Sequence, residues 1–139
     1  MHIYRLEDSR GKGPYNGGAM WDDPRPKPSY LENLYTKQRG IRDPHPAPTE
    51  DGLGRVYPGD YFGFDSPEAM QSWFFREPYD AERLEDFGLF VTIWEVAPHC
   101  VRRGGKQVVF IRDEATQIRN MTPTEFMEEV TSWQNPVRH

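Results

Sequence analysis

The run Leu89-Phe90-Val91-Thr92-Ile93-Trp94-Glu95-Val96 constrains the fold of this chain more than any other stretch. It is filled with β-branched and aromatic residues, the signature of a strand. Val91 and Ile93 fall on one face, and Phe90, Trp94 and Val96 on the other, so neither face is polar. A strand apolar on both faces needs cover on both, which predicts a central position in a sheet. A second such run, residues 106–112, follows across Pro98-His99-Cys100-Val101-Arg102-Arg103-Gly104-Gly105. Two consecutive strands separated by turn formers predict an antiparallel ribbon, on which the rest of the chain must pack.

A chain of 139 residues fits one domain with an ordinary core. The formal net charge of −5 argues against a dedicated nucleic-acid binder, which needs clustered Lys and Arg against phosphate. The compact basic cluster Arg102, Arg103 and Lys106 lies on the connection between the two runs and reads as a solvated turn. The single cysteine, Cys100, has no intrachain partner and suits a reducing compartment. Sequence adjacency to His99 does not make it a nucleophile, because catalytic pairs are assembled across a fold. No apolar run approaches the ~18 residues of a membrane span and no signal peptide is evident, so the expectation is a soluble cytoplasmic protein.

Taken in order, the chain opens on a strand, residues 2–7, whose Tyr4 and Leu6 should face the core. Arg5 then reads either as a solvated or ion-paired edge residue or as the floor of a pocket. Residues 8–60 carry eight prolines (Pro14, Pro24, Pro26, Pro28, Pro44, Pro46, Pro48, Pro58). Tyr15, Trp21, Tyr30, Tyr35 and Tyr57 give this stretch anchors that a disordered linker would lack, so an ordered, wrapping loop is expected. Ser29 can cap a short helix over residues 30–38, and the glycine-rich residues 11–18 lack the spacing of a phosphate loop. Residues 43–51 set His45 among carboxylates on a polyproline backbone. No ligand pair there has a recognised metal spacing, but His45 can line a pocket mouth.

After a short extended piece, residues 61–64, Ser66 is a good N-cap and Pro67 suits the first helical turn. Ala69, Met70, Trp73 and Phe74 form the apolar face of that helix. Pro78 stops it. Asp80 should cap a shorter helix over residues 81–87, ended by Gly88. Residues 115–121 can add a strand after an Asp113-Glu114 turn. Thr122-Pro123-Thr124-Glu125 is a capping box opening a last helix that should bury Phe126, Met127, Val130 and Trp133. The expected class is α+β: a single domain over residues 1–139 with a mainly antiparallel sheet and two or three helices. A long Pro/Gly-rich ordered loop (8–60) would surround a helix-strand-strand-helix core (61–135).

Three features together resemble ADP-ribosyltransferase-type domains: Arg5 in the first strand, the aromatic-Gly-aromatic-Asp-Ser segment 62–66 opening a helix, and a later strand that begins Gln107-Val108-Val109-Phe110. The resemblance implies an NAD-binding role for Arg5, a nicotinamide pocket lined by Ser66 with Phe62 and Phe64, and Gln107 at the position of the catalytic acid. His45 would stand at the pocket rim. Gln107 departs from the family pattern, since an amide can hold a ribose hydroxyl but cannot stabilise developing oxocarbenium charge as a carboxylate does. The resemblance thus implies an ADP-ribosyltransferase or NAD glycohydrolase, or a catalytically weakened relative that still binds the nucleotide. Purely structural roles also fit these residues: Ser66 as helix cap, Arg5 in an ion pair, Gln107 on a sheet surface.

The opening strand, Gly-Pro-Tyr turn, His-Pro-x-Pro loop, aromatic-Gly-aromatic segment and Gln-Val-Val-Phe strand are also similar to small proteins of bacteriophages and prophages. In that setting two further functions compete with NAD binding. One is a non-enzymatic inhibitor whose proline-rich loop and acidic helices contact a host protein. The other is a sponge for a signalling nucleotide using Arg5, Arg102 or Arg103.

Overall fold

The computed structural model describes residues 1–11, 13, 52, 53, 57 and 59–134. Among these lie six strands: β1 (His2–Glu7), β2 (Asp60–Gly63), β3 (Phe90–Val96), β4 (Val101–Arg103), β5 (Val108–Ile111) and β6 (Ala115–Met121). Three helices accompany them, α1 (Pro67–Phe74), α2 (Asp80–Asp86) and α3 (Pro123–Gln134). The strands form two antiparallel three-stranded sheets, β1-β3-β6 and β2-β5-β4. The class is α+β. The expected helix over residues 30–38 and the course of residues 43–51, His45 included, lie outside the described residues.

β3 takes the central place its two apolar faces require, between β1 and β6. Val91, Thr92, Ile93, Trp94 and Val96 are all buried. One side of this sheet packs on the helices, joining Leu6, Val91, Ile93 and Met121 to Met70, Trp73, Phe74, Phe126 and Val130. The other side faces the second sheet through Ile3, Trp94, Val96, Cys100, Val108 and Phe110. β1 therefore has two buried faces. Leu6 and the partly buried Tyr4 do join the helix-side core, but Ile3 and Arg5 point into a second core rather than outward.

The expected ribbon between β3 and residues 106–112 does not form. Both edges of β3 are taken by β1 and β6, and a 3₁₀ turn at Pro98–Cys100 carries the chain off that sheet. β5 instead pairs with β4 through a tight turn closed by Gly104 N–H donating to the Gln107 carbonyl at 2.8 Å. The shorter loop has the lower closure entropy, so this local hairpin forms inside the stretch that read as a simple connection.

The two sheets meet at one point, where Tyr4 N–H donates to Phe64 O at 2.7 Å and Phe64 N–H to Tyr4 O at 2.8 Å. In space the strands thus run β4-β5-β2-β1-β3-β6. The approach needs Gly63: a Cβ there would lie 2.6 Å from Ile3 Cγ2 and 2.7 Å from the Tyr4 carbonyl oxygen.

The helix starts follow their local chemistry. Ser66 Oγ accepts from Ala69 N–H at 3.1 Å, and Thr122 and Glu125 exchange both bonds of a capping box, each 3.1 Å. Asp80 lies inside the first turn of α2 rather than ahead of it, and its Oδ2 reaches back to the Arg76 and Glu77 N–H groups at 2.9 and 2.8 Å. The Trp133 side chain lies outside the described residues.

Candidate functional site

Beyond the Tyr4–Phe64 pair an antiparallel ladder would next join Leu6 N–H to the Phe62 carbonyl. The sheets separate there instead, and the Arg5 guanidinium takes the acceptor, with Nη1 donating to Phe62 O at 2.9 Å. Nη2 donates to Gly11 O at 2.9 Å, and Nε to Glu7 Oε2 at 3.4 Å. Arg5 is 5% exposed and Glu7 4%, so the split between β1 and β2 is held by a buried ion pair. Burial lowers the Arg5 pKa from its ordinary value, and the neighbouring Glu7 carboxylate opposes the shift.

The pair extends into a chain of hydrogen bonds across β3. Thr92, which faces Arg5 in the β1–β3 register, donates its hydroxyl to Glu7 Oε1 at 2.6 Å and accepts from Trp94 Nε1 at 2.9 Å. The Tyr61 ring lies 4.3 Å beneath the Arg5 guanidinium, and Arg112 stands 4.7 Å over the Trp94 ring. Gly11 closes the site from the side, with φ +81, and a Cβ on it would meet Glu7 Oε2 at 3.3 Å. A guanidinium has five N–H donors and three are used, which leaves two without a partner among the described residues.

The residues singled out in the sequence distribute as follows. Arg5 is ion-paired, as one reading had it, but buried rather than solvated. Phe62 meets Arg5 through its carbonyl. Phe64 turns to the helix side, its ring 5.3 Å from Trp73 and 5.9 Å from Phe74. Ser66 follows β2 and caps α1. Gln107 is buried just before β5, and the Gly63↔Val108 pairing sets it next to the β2 end that carries Phe64. The three segments of the resemblance therefore occupy neighbouring strands, β1, β2 and β5, although neither Ser66 nor Gln107 is among the hydrogen-bond partners of Arg5. Arg102 and Arg103, the exposed basic pair, are matched by Asp60 (2.7 Å) and Asp65 respectively.

Sequence reasoning passed over Glu7, Thr92, Tyr61 and Gly11. A signal for the first two existed. Ile3, Arg5 and Glu7 alternate along one strand face, and Thr92 is the polar interruption in the apolar run 89–94. Gly11 and Tyr61 come from distant segments, and only the tertiary fold brings them to Arg5.

Residues 1–124 match the model of a family described as the bacteriophage T4 Y00F protein. The chain belongs to that family. No curated protein and no solved structure matches it. The matched span includes the whole β1–β2–β5 site and all six strands of this Y00F-family chain, so the arrangement around Arg5 lies within the part that defines the family. No helix among the described residues is long and apolar enough to cross a membrane.

Proposed function

We propose that this phage protein binds NAD or a related nucleotide in an ADP-ribosyltransferase-like manner, at the split between β1 and β2. The observation that carries the reading is the adjacency of β1, β2 and β5: Arg5 lies in β1, the 62–66 segment spans the end of β2, and Gln107 immediately precedes β5. The two N–H groups of Arg5 without a partner among the described residues supply the charge-assisted bonds that a phosphate accepts. Entry of the ligand exchanges the Gly11 carbonyl for a phosphate oxygen. With an amide at Gln107 the site binds and orients the nucleotide but has little means of stabilising the oxocarbenium-like transition state. The sponge for a signalling nucleotide would draw on Arg5, or on Arg102 or Arg103, which pair with Asp60 and Asp65, and needs no general base.

A thermal-shift titration with NAD, ADP-ribose and cyclic nucleotides tests this. A ligand selective for the folded state, at ~100 times its Kd, adds about 2.7 kcal/mol and raises the Tm by several degrees. NAD or ADP-ribose is expected to give that shift, and Gln107→Glu to introduce measurable NAD hydrolysis. A shift with cyclic nucleotides alone selects the sponge. The absence of any shift at millimolar ligand overturns the nucleotide site.

A further inference from the structure

A groove of about 460 Å³ runs between α2 and α3, on the helix side and away from the Arg5 split. Its floor is apolar, made of Phe75, Ala81 and Met127, and its rim carries Glu77, Glu82 and Glu128. The volume is in the range of ligand-binding clefts in general, ~300–1,000 Å³. All three rim residues are exposed, and none has an ion-pair partner among the described residues. Glu129, one position beyond Glu128, shows the contrast: Arg119 holds it with bonds of 2.6 and 3.0 Å. Asp80, between the groove-lining Pro78 and Ala81, is fully buried, and its Oδ1 has no hydrogen-bond partner among the described residues. Negative charge is thus concentrated around an apolar trough, and none of the groove-lining residues is a cation.

We propose that this groove docks a basic amphipathic helix of a partner protein. Apolar residues at i and i+3 or i+4 seat on Phe75, Ala81 and Met127, and flanking Lys or Arg side chains face Glu77, Glu82 and Glu128. The sign of the rim excludes the alternatives: nucleic acid and the anionic surface of a membrane are both repelled. Electrostatic steering by the rim speeds encounter, and burial of the apolar residues supplies the affinity. The inference is independent of the nucleotide reading, since no groove residue takes part in the Arg5 network.

The test is fluorescence anisotropy of the full chain with a labelled Leu/Lys amphipathic helical peptide of about 14 residues, long enough for partial helicity. Saturable binding that weakens with salt is expected, with a loss of roughly tenfold or more in Glu82→Lys/Glu128→Lys, where attraction becomes repulsion. Met127→Asn, which places an uncharged polar group on the floor, should weaken binding by a similar factor without changing its salt dependence. Thermal melts of both variants establish that they are folded. No saturable binding, equal affinity for a Leu/Glu peptide, or affinity unchanged by both folded variants overturns the proposal.

Discussion

At the scale of single residues, the Arg5–Glu7 pair is the most consequential feature. A buried ion pair contributes little net stability compared with an apolar pair of the same shape, but removing one partner strands the other charge in the core. Arg5→Ala is therefore expected to cost about 3–5 kcal/mol in urea unfolding, and Arg5→Met combined with Glu7→Leu to recover most of that loss. A single-variant loss below about 1 kcal/mol would mean that water reaches the pair and solvates Glu7. Asp80 offers a second residue-level expectation. Burial raises its pKa above the ordinary 3.8, against two backbone N–H bonds that lower it. The folded state then holds the proton to higher pH than the unfolded one. The contribution of Asp80 is fully present below the unfolded value and is lost as pH rises through the raised folded value. Asp80→Asn should flatten the stability profile as pH rises above the ordinary Asp value of 3.8, relative to the parent chain, and parallel profiles would refute the shift.

At the scale of elements, the helices were legible because their start signals are local. Ser66 and the Thr122–Glu125 box act within one turn, and both cap as their sequence neighbours predict. Thr122→Ala is expected to cost about 1 kcal/mol in thermal or urea melts. The centrality of β3 was equally legible, because an apolar residue on each face demands two layers of cover whichever strands supply it. Its partners were not. Periodicity identifies a strand but not its neighbours, and a hairpin hidden in the Val101–Arg103 connection captured β5. Gly63 is an element-level constraint of the same kind, since its need for a bare Cα arises only where β1 crosses β2. Gly63→Ala should cost about 1–3 kcal/mol or more through overpacking, read as a lower urea midpoint. A neutral result would show that the two sheets slide apart at this junction at little cost.

At the scale of the whole molecule, the two sheets share an apolar layer and separate around a polar one. Ile3, Trp94, Val108 and Phe110 fill the first, while Arg5, Glu7 and Thr92 occupy the second. Cys100 belongs to the shared layer and is 8% exposed, so its thiol reports on opening between the sheets. Reaction with Ellman's reagent should be slow in the native chain and accelerate along the same denaturant curve as the loss of tryptophan signal. Reaction at the rate of a free thiol in native buffer would place a separate, low-energy opening at the 3₁₀ turn.

The sequence by itself determined the class, the three helices with two of their caps, the double burial of β3 and the strand after residue 114, because each follows from contacts within a few residues. It also singled out Arg5, by the oddity of a cation in an apolar strand. Only the tertiary structure decided that Arg5 is buried, that Glu7 is its counterion, and that Gly11, Tyr61 and Phe62 complete its surroundings. Those partners lie up to 57 positions away along the chain, and no local propensity encodes which carbonyl a guanidinium reaches once two sheets part. The groove between α2 and α3 arises in the same way. Glu82 on α2 and Glu128 on α3 share one charged rim only because the helices pack side by side.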